Sequence, residues 1–385
     1  MPSMQFEEGL GVGLLAVLAV AIAALILIHT WTQRPKLEGA VGGEGGDVDA
    51  DAGSVSDALG SLPQLTGADQ LVNYYMLASY NTCCEGDYDG GTVSTAQIRK
   101  VLKEGARFVD FAIYTMPESC TGDGTQDEPA VAGSASASDL AIGTRNCLPL
   151  SDVMREVAST AFSAGRVPRP TEPLLLHCRL RTRKPETLTQ LGHLIKREFG
   201  TRLLQAGKFG GNAIHGPATT SILSTPLAEL RGKCIVILEA SDRSWTDNMA
   251  LASVVNIAQG AGEPFFVSTP APILRATAAP GQIREANKQQ LTLITPTTQS
   301  GGGPVSYPIG PALWIGCQLP AVAFQVEDEN KRAALDYYRS KNSGFVLKPV
   351  QLQQKIIRLP HPKAQDPKLS YALRTKTAPY FKFNV

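Results

Sequence analysis

From about Thr66 onward, short apolar segments typical of strands alternate with segments typical of amphipathic helices. In TAQIRKVLKEG, Ile98, Val101 and Leu102 recur at helical spacing, and Ser94 stands where an N-cap is expected. Helices that alternate with strands carry the chain back across a sheet, so that successive strands run parallel. The pattern predicts an α/β fold, and the number of units fits a (β/α)8 TIM-like barrel.

Other segments extend this pattern along the chain. LVNYYMLAS, ARFVDFAIYT, EPLLLHCRL and GFVLKP are strand-like. Ser151 is placed to cap one helix and Pro185 to open another, and residues 248–259, NMALASVVNIAQ, are also predicted to be helical. Residues 117–146 are rich in Gly, Ser and Asp, which predicts a long loop.

A Pro-, Thr- and Gly-rich stretch, residues 269–304, is predicted to be a linker that divides the barrel into two sequence halves. The halves are residues 66–268 and residues 305–350. A C-terminal tail, residues 351–385, carries several basic residues and ends in the aromatic segment APYFKFN. This tail is expected to pack either on the barrel itself or on another protein.

The N-terminal part of the chain predicts a membrane anchor. Residues 9–33 contain no charged side chain, and about 20 apolar residues in a helix cross the ~30 Å hydrocarbon core of a bilayer. A cleaved signal peptide is the alternative. The preceding tail, residues 1–8, argues against it, because it contains two Glu and no Lys or Arg.

Charges on either side of the anchor predict its orientation. Arg34 and Lys36 follow the apolar run, so the positive-inside rule places the bulk of the chain on the cytosolic side, or on an equivalent reducing side. Residues 34–65 are rich in Gly, Ala and acidic residues and lack an apolar period. This composition is typical of a flexible tether.

The composition excludes some classes of function. The chain has 36 Lys and Arg against 35 Asp and Glu, a net charge of +1, so bulk electrostatics give no support for a nucleic-acid partner. The seven cysteines are an odd number and include no CxxC pair. This argues against a disulfide framework and against a zinc site, and it favours a reducing compartment. The adjacent Cys83 and Cys84 are expected to be free thiols.

Several motifs together resemble the eukaryotic-type phosphoinositide-specific phospholipase C. Three segments resemble motifs of its X half: ASYNTCCEGDY, IRKVLKEGARFVDF and LAELRGKCIVIL. Two more resemble motifs of its Y half: YPIGPALWIGCQLPAVAFQV and SKNSGFVLKP. The motifs keep the same order along both chains. The resemblance therefore implies a barrel of the phospholipase C type, preceded here by the predicted transmembrane helix.

The catalytic histidines of that family have no counterpart in the matching motifs. One histidine of the family stabilises the pentacoordinate phosphorus and another assists proton transfer. Tyr80 stands at the first position, and the segment around Gly133, which should carry the second, contains no histidine. A phenol with a pKa of about 10 does not replace an imidazole at neutral pH.

The resemblance also implies that a calcium site has been lost. The family holds calcium with an Asn and three carboxylates. Asn81 is kept, but of the carboxylates only Asp110 remains, with Ala112 and Arg179 at the other two positions. A cation at a ligand position repels a metal ion, so we expect no metal and no other cofactor.

Positions that bind the substrate phosphate in the family are changed as well. Ile237 replaces a lysine, and Val305 replaces an arginine, although Tyr307 nearby is kept. Together the substitutions predict a vestigial site that comprises Asn81, Asp110, Arg179, Ile237 and Tyr307.

Arg179 carries a sharper hypothesis. It is expected to point inward at the mouth of the barrel, on the same strand face as His177, and to pair with Asp110 or Glu239 where calcium sits in the family. The alternative is an exposed arginine. His177 is read as a satisfied core histidine, with a relocated catalytic base as the alternative.

A basic cluster follows the same strand: Arg179, Arg181, Arg183 and Lys184. It lies at the end of the strand where barrel sites are found, so it is a candidate for binding an anion such as a phosphorylated lipid headgroup. A solvated loop is the simpler alternative.

The sequence therefore predicts a single-pass membrane protein whose phospholipase C-like barrel is a catalytically inactive pseudoenzyme. We expect a structural or binding role in a membrane-associated assembly of an organelle or a virion, with protein partners. Two alternatives remain, a metal-independent phosphodiesterase with a rebuilt site and a non-catalytic phosphoinositide-binding protein.

Overall fold

The computed structural model describes residues 70–384, apart from residues 121–127, 136–140, 210–220, 241–242, 260–263, 278, 300–301 and 355–372. Residues 62–385 form one compact unit. The predicted tail, transmembrane helix and tether, residues 1–65, lie outside the described residues. Across the residues that are described, every helix is too short or too polar to span a membrane.

Eight parallel strands form the centre of the molecule. In chain order they are β1 (Ala78–Ser79), β2 (Phe108–Thr115), β3 (Leu174–Leu180), β4 (Cys234–Glu239), β5 (Ile257–Ala258), β6 (Phe265–Ser268), β7 (Leu291–Ile294) and β8 (Leu319–Val322).

The strands are paired in the order β5-β4-β3-β2-β1-β8-β7-β6, and all seven of these pairings are parallel. Within the described part of the chain, β5 and β6 are the neighbours that share no ladder. The result is a nearly closed TIM-like barrel, as the alternation of strands and helices predicted.

In the described ranges, seven helices lie between barrel strands, and an eighth follows β8: α1 (Thr95–Lys103), α2 (Leu150–Ala161), α3 (Pro185–Phe199), α4 (Met249–Ala252), α5 (Pro270–Ala276), α6 (Gly281–Ala286), α7 (Gly310–Trp314) and α8 (Glu329–Ser340). Ser94 caps α1 as predicted, because its hydroxyl accepts a hydrogen bond from Gln97 N at 3.1 Å. Pro185 begins α3, as predicted. Ser151 does not cap α2, which already begins at Leu150, a fully buried residue.

The prediction of a single helix over residues 248–259 is wrong. The helix α4 ends at Ala252, and strand β5 follows at residues 257–258. Asn256 fixes this change, because its Oδ1 accepts a hydrogen bond from Val236 N on β4 and its Nδ2 donates one to Leu204 O. A strand of two residues leaves no period-2 signal in the sequence.

Residues 269–304, predicted to be a linker, instead contribute α5, α6 and the barrel strand β7. The β7 run, LTLI, has four residues and is flanked by polar and Thr/Pro-rich segments. Composition averaged over a longer window therefore hides it. The predicted loop over residues 117–146 likewise contains a strand, Pro129–Ala132, which pairs antiparallel with the end of β2.

The segments LVNYYMLAS and GFVLKP contribute to a ribbon beside the barrel. Tyr74–Met76 pairs antiparallel with Phe345–Leu347, and the chain enters the barrel only at Ala78. The predicted first strand is thus divided between the two structures, because Leu77 N bonds to Gly344 O in between.

Cysteine pairing differs from the expectation in one place. Cys120 and Cys147 form a disulfide with a Cα–Cα distance of 6.0 Å, whereas the sequence argued against disulfides. The two residues flank the inserted strand Pro129–Ala132, and this proximity follows from the fold rather than from a spacing motif. Cys83 and Cys84 are free and buried, as expected.

Candidate functional site

The predicted site residues meet at the carboxyl ends of β1 to β4. Tyr80, Asn81 and Thr82 follow β1 directly. In the sheet register, Asp110 on β2 is level with His177 on β3, which is level with Ile237 on β4. One step higher, Ala112, Arg179 and Glu239 are level. Because side chains alternate along a strand, these two rows point into the barrel.

Asp110 is the centre of the site, and its carboxylate accepts four hydrogen bonds. Oδ1 accepts one from His177 Nδ1 at 2.8 Å and one from Arg179 Nε at 2.9 Å. Oδ2 accepts one from Asn81 N at 2.8 Å and one from Arg179 Nη2 at 2.9 Å. An ionised carboxylate offers about four lone-pair positions. Those of Asp110 are all used within the protein.

Arg179 binds Asp110 through two parallel hydrogen bonds and also donates from Nη2 to Asn81 Oδ1. The pairing of Arg179 with Asp110 that the sequence predicted is therefore present. Arg179 is only 3% exposed and Asp110 is fully buried. A bidentate guanidinium–carboxylate pair with further hydrogen bonds is the arrangement that best offsets the desolvation of two buried charges.

The electrostatics of the pair favour the charged forms of both partners. Burial alone would raise the pKa of Asp110, but the charge of Arg179 and the hydrogen bonds from His177 and Arg179 hold it well below the usual range. Burial would lower the pKa of Arg179, and Asp110 instead raises it well above its usual value.

The turn after β1 is fixed around the same carboxylate. Asn81 has a φ of 47°, the left-handed conformation that Asn tolerates better than most residues. Thr82 locks the turn to β2, since its hydroxyl accepts from Asp110 N at 2.8 Å and its N–H donates to Asp110 O at 2.9 Å. The sequence places Thr82 beside Asn81 at the end of a predicted strand but does not indicate that it bridges to β2.

Tyr80 covers the guanidinium. The Arg179 Cζ atom lies 4.4 Å from the centre of the Tyr80 ring, which is a cation–π contact. The ring also packs edge-on against Tyr88, with centroids 6.3 Å apart. Burial raises the pKa of Tyr80 to about 12, so the phenol is neutral at physiological pH. The tyrosine therefore acts as an aromatic cover over Arg179.

Ala112 provides the space for the guanidinium. It stands level with Arg179 on the neighbouring strand and faces the same interior. A carboxylate side chain there would crowd the position that Arg179 now occupies, while the alanine methyl leaves it free. The two substitutions are thus structurally compatible with each other.

Gly133 lies in a tightly packed place. A Cβ atom built on Gly133 would be 2.7 Å from Cys84 Sγ and 3.1 Å from Thr144 Cγ2. Thr144 also holds the glycine, because its Oγ1 accepts a hydrogen bond from Gly133 N at 3.2 Å. Any side chain at this position, a histidine included, requires its neighbours to move.

His177 is fully buried between Phe108 and Phe265, with ring centroids 5.3 Å and 5.5 Å away. Its Nε2 atom has no hydrogen-bond partner among the described residues, and Glu239 Oε2 lies 3.8 Å from it. The ring therefore makes one strong hydrogen bond, to Asp110, and is otherwise a core side chain.

The basic cluster does not present four cations to solvent. Arg179 is buried against Asp110, and Arg181, 8% exposed, lies 3.5 Å from Glu239. Arg183 and Lys184 are exposed. The candidate anion-binding group thus divides into two arginines paired with carboxylates and two residues at the surface.

The remaining predicted positions carry no charge, and none of them contacts Asp110 through a hydrogen bond in the described part of the chain. Ile237 is fully buried in β4. Tyr307 donates a hydrogen bond to Ile294 O at 3.0 Å, and burial raises its pKa well above its usual value. Val305, 38% exposed, lies on a short hairpin.

The oxygen atoms around Asp110 do not fit a divalent cation. Asn81 Oδ1 and both oxygens of Asp110 already accept from Arg179. A metal ion at these oxygens would be adjacent to a fixed positive charge. Among the described residues, no three His, Cys, Asp or Glu side chains come together as a metal-binding group.

Comparison with known structures supports the fold. The chain is similar to the crystal structure of PLC21 from S. officinalis, with 19% identity and a TM-score of 0.57, over 75% of this chain and 38% of that chain. For PLC21 from L. pealei the identity is 20% and the TM-score 0.57, over 74% of this chain and 38% of that chain. The chain thus spans only about 38% of the length of these two proteins. Comparison with curated protein sequences gives no match.

The family model for the X domain of phosphatidylinositol-specific phospholipase C matches residues 68–239. This range contains β1 to β4 and every residue of the buried cluster around Asp110. Residues 68–239 are therefore similar to the X domain of phosphatidylinositol-specific phospholipase C.

Proposed function

We propose that the chain is a membrane-anchored phospholipase C-like barrel that does not cleave lipid and that has a structural or binding role in a membrane-associated assembly. The observation that carries the proposal is the saturation of Asp110. Its four acceptor positions are filled by Arg179, His177 and the Asn81 backbone. A carboxylate in that state is not available to a metal ion or to a substrate hydroxyl.

The surroundings of Asp110 support the same conclusion. Tyr80 covers the guanidinium, and His177 is enclosed by aromatic rings. Asn81, Asp110 and His177 are each at most 2% exposed. A lipid headgroup would have to displace this packing before it could contact any of the three.

Membrane attachment and an assembly role are proposed from the sequence. The uncharged residues 9–33 are the proposed anchor, and residues 34–65 are the proposed tether. Arg34 and Lys36, which directly follow the anchor, favour the cytosolic side, or an equivalent reducing side, for the barrel. Without catalysis, the role left for an anchored barrel is binding to partners in an organelle or a virion.

A rebuilt enzyme is the second candidate, and the contact between His177 and Asp110 favours it. A carboxylate that orients an imidazole through Nδ1 is a frequent arrangement for a general base. His177 Nε2 has no hydrogen-bond partner among the described residues. A metal-independent phosphodiesterase would use this nitrogen, and it requires an opening that exposes the ring.

The direct test is cleavage of phosphatidylinositol bisphosphate by residues 62–385, with calcium and with a chelator, beside an active member of the family. We expect no turnover in either condition. Turnover that survives Tyr80→Phe and is lost in a folded His177→Gln variant would overturn the proposal in favour of the rebuilt enzyme. Inactive protein that binds phosphoinositide vesicles, and loses that binding in Arg183→Gln/Lys184→Gln, would identify the non-catalytic lipid receptor.

A further inference from the structure

The chain ends in a two-stranded hairpin, here called the C-terminal hairpin. Its strands, Thr375–Ala378 and Phe381–Asn384, pair antiparallel around a turn at Pro379 and Tyr380. Residues that pair directly across an antiparallel ladder lie on the same face of the ribbon. Lys376 therefore shares a face with Phe383, and Ala378 shares that face with Phe381.

The aromatic side chains of the C-terminal hairpin are exposed. Tyr380 at the turn is 96% exposed, Phe381 61% and Phe383 46%, and Leu373 just before the hairpin is 78% exposed. An isolated two-stranded ribbon is marginally stable in water, and exposed aromatic rings forgo the free energy that burial provides. The ribbon therefore has an apolar surface that is available to be covered.

The positive charge of the C-terminal hairpin favours binding to a negatively charged surface. Arg374, Lys376 and Lys382 are all exposed. The sequence from residue 367 to residue 385 contains no Asp or Glu. A strongly basic ribbon with aromatic rings at its turn fits a surface that is negatively charged outside and apolar beneath. Aromatic rings settle at the headgroup level of a bilayer, and lysine chains extend from there towards the anionic groups.

We propose that the C-terminal hairpin docks on an anionic lipid bilayer, with Tyr380 and Phe381 in the headgroup layer and the three cations among the lipid phosphates. The site is separate from the buried Asp110 cluster. It also acts independently of the proposed anchor, because none of its residues lies in residues 9–33. It gives the barrel a second contact with a membrane, and this contact depends on lipid charge.

The test is sedimentation of residues 62–385 with vesicles of phosphatidylcholine alone and with about 30% phosphatidylserine, at low and high salt. We expect binding to the anionic vesicles only, weakened by salt. Each cation contributes about fivefold to partitioning, so Arg374→Gln/Lys376→Gln/Lys382→Gln is expected to reduce binding about 100-fold. Tyr380→Ser/Phe381→Ser/Phe383→Ser is expected to reduce it about tenfold or more.

A matched variant controls for net charge. Lys196→Gln/Arg332→Gln/Lys341→Gln removes the same charge from exposed positions on other elements and is expected to leave binding within about fivefold of the parent. Equal binding to uncharged vesicles, or an equal loss in this control, would overturn the proposal. The proposal would also be overturned if the protein does not bind vesicles but forms a concentration-dependent dimer that Tyr380→Ser/Phe381→Ser/Phe383→Ser abolishes. The hairpin would then bind a second copy of the chain.

Discussion

Two buried arginine–carboxylate pairs lie near opposite ends of the barrel, and they differ in quality. Near the carboxyl ends of the strands, Arg179 holds Asp110 with two hydrogen bonds of 2.9 Å. Near the amino ends, where β2 and β3 begin, Arg107 Nε lies 3.4 Å from Glu172 Oε2 and has no hydrogen-bond partner there. Arg107 directs its other nitrogens to the carbonyl oxygens of Ala161 and Arg169.

The pKa values of the charged groups shift in different directions at the two pairs. Burial dominates at the second pair, where it lowers the pKa of Arg107 and raises that of Glu172. At the first pair, the interaction outweighs burial, and the pKa of Asp110 falls. The comparison shows that burial of opposite charges does not by itself make a strong ion pair. The number and alignment of the hydrogen bonds decide whether the charged forms are favoured.

The largest expected effect is on the first pair. Arg179→Met is expected to lower the free energy of unfolding by about 3–5 kcal/mol, because it leaves Asp110 charged, buried and unpaired. Arg107→Met should cost less, since Glu172 has partners in Ser343 and Gly344 and more readily takes up a proton. Urea unfolding of residues 62–385 and the two variants measures the difference. Equal losses would show that the two pairs are of equal strength.

A double variant sharpens the same comparison. Arg179→Met/Asp110→Leu removes both charges together and is expected to recover more than half of the loss caused by Arg179→Met alone. The coupling free energy of this cycle isolates the pair from packing effects. A double variant no more stable than the single one would mean that Asp110 is held chiefly by Asn81 and His177.

The next largest effect is on the pH dependence of the free energy of unfolding, where Asp110 and Glu172 are expected to act in opposite directions. The depressed pKa of Asp110 stabilises the fold above pH about 4, and this contribution is lost as the pH falls towards the folded-state value. The raised pKa of Glu172 stabilises the fold below pH about 4, and this contribution is lost as the pH rises through the folded-state value. Asp110→Asn should therefore reduce the fall in the free energy of unfolding at acid pH. Glu172→Gln should reduce the fall in the free energy of unfolding above pH about 4. Parallel profiles for both variants would contradict these pKa directions.

A smaller effect is expected at Gly133. Gly133→Ala introduces a Cβ 2.7 Å from Cys84 Sγ and should destabilise the fold by about 1–3 kcal/mol. Cys84→Ala removes the sulfur and should relieve most of that cost in the double variant. If Gly133→Ala alone is neutral in thermal unfolding, the packing is loose enough to admit a side chain.

Much of the barrel was predictable, because long amphipathic helices and long apolar strands leave periodic signals. The strands β2 and β3 were predicted correctly, and so was the capping of α1 by Ser94. The strands β5 and β7 were not, because β5 has only two residues and β7 lies in a stretch whose composition is typical of a linker. Their positions are set by contacts distant in sequence, such as those of Asn256 with Val236 and Leu204.

The site shows the same limit. Two strands with inward alternation were enough to predict that Arg179 pairs with Asp110 or Glu239. The packing of Tyr80 over Arg179 and the crowding at Gly133 depend on loops that meet only in the folded chain. The same holds for the disulfide between Cys120 and Cys147. The sequence therefore predicted two possible partners for Arg179, but not which of them it binds or how completely Asp110 is enclosed.

The most direct test of the central claim is calcium titration of residues 62–385, followed by thermal unfolding at each concentration. A ligand that binds only the folded state at 100 times its dissociation constant adds about 2.7 kcal/mol of stability. We predict that calcium does not stabilise the protein through Asp110, because Arg179 already binds the oxygen atoms that a metal ion would need. Any effect of calcium should therefore be the same in the parent protein and in Asp110→Asn. Stabilisation by calcium that disappears in Asp110→Asn would contradict the account and show that the site still binds its metal.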